Sequence, residues 1–125
     1  MFKKNDPNST ESLGKTNRIV HQTEIKGDIL SEADFRLDGI LLGNFTSNGR
    51  LVIGSQGKIK GDIKCANLDI EGIFEGTANV DQLVTLRATA VVNGHLRMRN
   101  LMVESGARVN STCEMIKDGN QVIEE

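Results

Sequence analysis

Ile59-Lys60-Gly61-Asp62-Ile63 is one copy of a five-residue phrase: apolar, any residue, glycine, polar, apolar. Upstream the phrase reads Ile25-Lys26-Gly27-Asp28-Ile29 and Leu41-Leu42-Gly43-Asn44-Phe45. Downstream it reads Phe74-Glu75-Gly76-Thr77-Ala78 and Val92-Asn93-Gly94-His95-Leu96, and Val109-Asn110-Ser111-Thr112-Cys113 closes the series with serine in the glycine position. The central residues 27, 43, 61, 76, 94 and 111 are 16, 18, 15, 18 and 17 positions apart. A unit this short cannot bury an apolar face alone and must stack on its neighbours. The stack is a rod with two ends.

A second apolar pair follows each of the first five phrases: Phe35 and Leu37, Leu51 and Ile53, Leu68 and Ile70, Val84 and Leu86, Leu101 and Val103. Two-residue spacing puts both members on one side of a strand. A third column, four residues after each central position, runs Ser31, Ser47, Cys65, Val80, Met98, Met115. Between the columns lie turn-rich stretches such as Thr46-Ser47-Asn48-Gly49 and Gly54-Ser55-Gln56-Gly57, whose residue types supply positive φ or local side-chain bonds. No window sustains a 3.6-residue period. The reading is an all-β, single parallel β-helix of about six coils. Ile25, Leu41, Ile59, Phe74, Val92 and Val109 stack inside it, while Asp28, Asn44, Asp62, Thr77, His95 and Thr112 stack outside. Six strands at about 4.8 Å predict a rod of roughly 30 Å.

The 125 residues suffice for one domain, and 38% hydrophobic with 26% charged residues suits a soluble fold. A net charge of −2 and no Trp or Tyr argue against nucleic acid as a partner, which would need basic patches and stacking platforms. No apolar run is long enough to span a membrane, and the start lacks the apolar core of a secretory signal, so the expected location is cytoplasmic. Residues 1–18 read as a disordered polar N-terminal tail, 19–116 as the β-helix, and 117–125 as a disordered acidic C-terminal tail. Cys65 and Cys113 fall three coils apart, roughly 14 Å, too far for a disulfide, and read as small apolar fillers.

The chain resembles the bactofilins, small bacterial cytoskeletal proteins. The resemblance is carried by Thr23-Glu24-Ile25-Lys26-Gly27-Asp28-Ile29, Leu37-Asp38-Gly39, Leu51-Val52-Ile53-Gly54 and Gly57-Lys58-Ile59-Lys60-Gly61-Asp62-Ile63, and it covers about residues 19–115. It implies a right-handed helix, filaments formed through the terminal coils without nucleotide, and attachment to the inner face of the cytoplasmic membrane by a short N-terminal apolar–basic motif. Met1-Phe2-Lys3-Lys4 is the matching membrane-targeting candidate. Ala88-Thr89-Ala90, where a glycine is usual, and Ser111 depart from the family pattern.

Polymerisation also follows from the ends. A solenoid tip exposes its last apolar layer and a rim of unpaired backbone groups, and solenoids that stay single carry polar caps. The candidate polymer interface is Ile19, Val20, Ile25 and Ile29 at one tip and Val109, Cys113, Met115 and Ile116 at the other. The residues leave open whether like or unlike tips meet; the resemblance implies like with like, a filament without polarity. A repeating surface would also suit cell-wall or division proteins as docking partners. The competing reading is a left-handed hexapeptide-repeat acyltransferase: Ile53, Ile59 and Cys65 fall six apart, and His95 is its one possible general base. The uneven steps break a strict hexad. No metal-ligand spacing, nucleotide loop G-x-x-x-x-G-K-[ST] or tandem calcium motif occurs, so catalytic, metal and cofactor residues are all expected to be absent.

Overall fold

The computed structural model describes residues 16–116, which hold twelve strands and no helix. These are β1 (Thr16–Ile19), β2 (Glu24–Lys26), β3 (Ile29–Ser31), β4 (Asp34–Leu37), β5 (Ile40–Leu42), β6 (Phe45–Ser47), β7 (Arg50–Ile53), β8 (Lys58–Ile70), β9 (Ile73–Leu86), β10 (Val91–Met98), β11 (Asn100–Val103) and β12 (Arg108–Met115). Every pairing is parallel, and equivalent residues of successive coils lie side by side. The result is a β-solenoid of about six turns.

Each coil has three faces. Face A stacks β2, β5 and the opening segments of β8, β9, β10 and β12. Face B stacks β3, β6 and the segments after the glycine in those long strands. Face C stacks β1, β4, β7, the ends of β8 and β9, and β11. The expected interior column is present: Ile25 on Leu41, Leu41 on Ile59, Ile59 on Phe74, Phe74 on Val92, Val92 on Val109. Its central members Leu41, Ile59, Phe74 and Val92 are fully buried, and Phe35 meets Phe45 edge to face at 5.1 Å in the same core.

The uneven steps have a local cause. The corner from face C to face A is two residues long at Asp38-Gly39 and Glu71-Gly72. It is four residues long at Val20–Thr23, Gly54–Gly57, Arg87–Ala90 and Glu104–Ala107. The longer corners close with a turn bond, as Gly57 N–H to the Gly54 carbonyl at 2.8 Å and Ala90 N–H to the Arg87 carbonyl at 2.9 Å. The corner from B to C loses a residue at Cys65/Asn67, where the register shifts. Strands therefore stay in register while the loops absorb the length differences. Ala90 occupies the corner place held by Gly39, Gly57 and Gly72 in other coils. It is buried there without a positive φ, so the departure at Ala88-Thr89-Ala90 keeps the turn bond and leaves the stack intact.

The corner from A to B does require glycine. Gly61 has φ +148°, and a Cβ there would lie 1.9 Å from the Gly43 carbonyl oxygen. The coils approach more closely here than any side chain permits. Ser111, in the last coil, is not among the positive-φ residues, so this coil turns its corner with a different backbone. The first strand begins at Thr16, three residues inside the segment expected to be tail.

Candidate polymerisation interface

The inward-facing rows end at both tips without a further layer among the described residues. At the N-terminal tip Ile19, Ile25 and Ile29, one from each face, pack on the core from one side and are half-buried. At the other tip Leu101, Ala107 and Val109 do the same. Val103 and Met115 are about half exposed at 49% and 47%, and Cys113 is exposed. The cause is positional: Cys113 lies beside Leu96 in the register, and Leu96 is fully buried because a coil covers it. The expectation that both cysteines fill the interior thus holds for Cys65 and is corrected for Cys113. Both are free thiols. Burial pushes the Cys65 thiol up to about 12, with the nearby Asp81 charge adding to the shift.

Each tip is also an open edge of the sheet. β1, β2 and β3 pair only with β4, β5 and β6, and β11 and β12 pair only with β9 and β10. Parallel ladders alternate residues whose N–H and C=O face one neighbour with residues that face the other. The Thr23 carbonyl accepts from Ile40 N–H at 2.8 Å, and Gly27 N–H donates to the Leu42 carbonyl at 3.0 Å. Residues 23, 25 and 27 thus face the second coil, and Glu24 and Lys26 turn their backbone groups to the open edge. At the other tip Arg108 and Ile116 donate inward, to Ala90 and Met98. That leaves residues 109, 111, 113 and 115 facing outward.

Of the residues named from sequence, Ile19, Ile25, Ile29, Val109, Cys113 and Met115 lie in the two terminal layers. Val20 stands elsewhere: it occupies the corner place later taken by Asp38, Gly54, Glu71, Arg87 and Glu104, and is 58% exposed. Ile116 is half-buried just past the end of β12. Sequence reasoning missed Leu101 and Val103 at one tip and Leu30, 80% exposed on β3, at the other. The apolar pairs contained the first two, but only the glycine phrase was followed to its end. Met1, Phe2, Lys3 and Lys4 and the segment 117–125 lie outside the described residues.

Polar side chains tie coil to coil along the rod. Asp38 takes two bonds from Arg36, at 3.0 and 3.1 Å, and lies 3.4 Å from Arg18. The Asp38 partner raises the Arg36 guanidinium above its ordinary value. On the outer edge past the glycines, Asn44 N–H donates to Asp28 and Asp62 N–H to Asn44, each at 3.1 Å. His95 pairs through Nδ1 with the Thr112 hydroxyl, and its Nε2 is 3.4 Å from Glu114. These contacts clip β12 to β10. No group of three His, Cys, Asp or Glu suited to a metal occurs among the described residues, and they include no helix long and apolar enough to cross a membrane.

Comparison with the curated proteins and with the solved structures gives no match. The family model of the bactofilins, described as polymer-forming cytoskeletal, matches residues 17–114, nearly the whole described solenoid. The chain belongs to the bactofilin family, a family of structural, polymer-forming cytoskeletal proteins.

Proposed function

We propose that the protein assembles end to end, like tip to like tip, into a filament that needs no nucleotide and has no polarity. The observation that carries this is the self-complementary edge of β2. Laid antiparallel on a second copy about a two-fold axis at Ile25, the outward backbone groups of Glu24 meet those of Lys26, and the two side chains carry opposite charge. The same rotation returns face A to itself and exchanges faces B and C. It sets β1 on β3 of the second copy, Ile19 against Ile29 and Asn17 against Ser31. The chain climbs from face C through A to B in each turn, so only an axis through the middle face lets both ramps fit. At the other tip an axis at Val109 sets Cys113 against Val103 and Met115 against Leu101. Both contacts are isologous, and alternating them propagates a rod.

Each contact buries one apolar layer and completes one row of ladder bonds. A structural polymer is the role of the family. The filament serves as a scaffold on the inner face of the cytoplasmic membrane, where its repeated surface offers docking sites to cell-wall or division proteins. The N-terminal residues Met1, Phe2, Lys3 and Lys4 contribute to that attachment, with many weak anchors acting together along one filament. Negative-stain microscopy and sedimentation of the purified chain without nucleotide test the assembly. Filaments are expected; a species that stays at 13.6 kDa at high concentration overturns it.

A further inference from the structure

The outward side of face A carries a second feature, away from both tips. Along one column Glu24, Ile40, Lys58, Ile73, Val91 and Arg108 stand side by side on successive coils. The neighbouring column runs Lys26, Leu42, Lys60, Glu75, Asn93 and Asn110. Ile40 and Ile73 are 37% and 40% exposed, and Leu42 and Val91 are half-buried beside them. Outward-facing positions of a solenoid are expected to be polar, so four large apolar side chains on one flat face call for an occupant. Their surroundings say which one. Lys26, Lys58, Lys60 and Arg108 stand against Glu24 and Glu75, whereas residues 16–116 as a whole carry eleven basic and twelve acidic groups. Lys60 reaches Glu75 at 3.8 Å; Lys26, Lys58 and Arg108 make no ion pair with a described residue. Asp28 and Asp62 lie past the glycine corner, and Asp28 is turned along the rod to the Asn44 N–H.

We infer that face A is the side of the filament that lies on an anionic phospholipid surface. Its apolar residues enter the headgroup boundary, and its lysines meet lipid phosphates. A second copy laid face to face would set this basic excess against itself, which disfavours lateral pairing through the same face. The inference rests on the end-to-end reading in one respect: an axis through face A keeps that face on the same side in every subunit. One subunit binds weakly, and the row binds firmly. This surface is separate from residues 1–4.

The test is flotation of wild-type filaments with phosphatidylglycerol or phosphatidylcholine vesicles, alongside the full chain carrying Ile40→Glu and Ile73→Glu, with assembly followed by microscopy. Both substitutions sit on the exposed face and leave the interior untouched. Wild type is expected to float with the anionic vesicles only. The variant should form filaments and float on the order of tenfold less. Lys58→Gln with Lys60→Gln, both away from the tips, should weaken flotation and its dependence on salt. A variant that assembles and floats like wild type overturns the inference, as do wild-type filaments that fail to float. Loss of paired filaments with flotation unchanged gives the face to a second copy and overturns it as well. A chain that neither assembles nor floats overturns both readings.

Discussion

The Asp69 carboxylate takes two hydrogen bonds from the Arg87 guanidinium one coil further along, at 2.9 and 3.1 Å. Asp69 is buried on face C, and Arg50 approaches it from the preceding coil at 3.9 Å. Arg87 also bonds Glu104 at 3.0 Å, and Glu104 in turn accepts the Ala88 N–H. Asp69 and Glu104 together raise the Arg87 guanidinium. One side chain thereby joins three coils.

Removing Arg87 leaves a buried carboxylate with one distant cation, so Arg87→Ala should lower the unfolding free energy clearly more than a surface substitution does. Lys60→Ala, which breaks only the exposed Lys60–Glu75 contact, should change it by less than about 0.5 kcal/mol. Urea unfolding followed by far-ultraviolet circular dichroism separates the two. Similar losses for both would mean that the Arg87 contacts add nothing beyond those of a surface pair.

The glycine corner predicts a sharper contrast. At Gly61 a Cβ would stand 1.9 Å from the Gly43 carbonyl, whereas at Gly27 it meets nothing within 4 Å. Both have φ in the positive range, +148° and +133°. Gly27→Ala carries only backbone strain, about 1–3 kcal/mol. Gly61→Ala must also force adjacent coils away from each other, and it should give little or no folded protein when expressed and assayed by limited proteolysis. Equal protease resistance of the two variants would show that the coils separate more easily than the close approach implies.

This corner also marks what could be read from the chain. Glycine at 43, 61, 76 and 94 marked the stack, because a Cβ at each would press on the glycine carbonyl of the preceding coil. The interior columns followed from it. Corner lengths were less legible: Asp38-Gly39 and Gly54–Gly57 make the same bend in two and four residues, and a mean period hides that. The tips were partly legible. Val109 and Ile25 end a repeated phrase, but Leu101 and Val103 are terminal only because the coil above them is lacking among the described residues. Val20 looked like Ile19 in composition, yet a corner turns it outward.

The two thiols should react very differently. Cys65 is enclosed and its thiol is pushed up to about 12 from 9.0, while Cys113 is exposed at the tip. A thiol reagent at pH 8 should label one site per monomer quickly, and labelling at Cys113 should slow as filaments form. The folded state holds the Cys65 proton more tightly than the unfolded chain does. That stabilisation is complete below the unfolded-chain value of 9.0 and is lost as pH rises towards 12. Cys65→Ala should remove this share of the alkaline loss, read as the difference in urea midpoint between pH 8 and pH 10. Rapid labelling of both thiols in the native protein would contradict the burial.

The tip register makes the most demanding prediction. Val109→Arg or Ile25→Arg places a charge in a layer that is wet in the monomer and dry in the filament. Each should stop filament growth with little change in monomer folding, because an unpaired charge is costly only when buried. Where like tips meet, the intact tip still joins two copies and the product is a dimer; in a head-to-tail filament it is a monomer. A charge exchange tests the register of the contact at Ile25. About an axis at Ile25, Glu24 of each copy faces Lys26 of the other, so Glu24→Lys alone or Lys26→Glu alone opposes like charges twice per contact. Each should raise the critical concentration for assembly about three- to tenfold at low salt. The double variant Glu24→Lys with Lys26→Glu restores both pairs and should assemble near the wild-type concentration. In a head-to-tail filament β2 would meet the opening segment of β12 instead, and the double exchange would have no partner exchange to match it. Sedimentation of the three variants across a concentration series reads the outcome directly. Failure of the double variant to recover, with its circular dichroism and thermal unfolding unchanged, would remove the two-fold contact at Ile25.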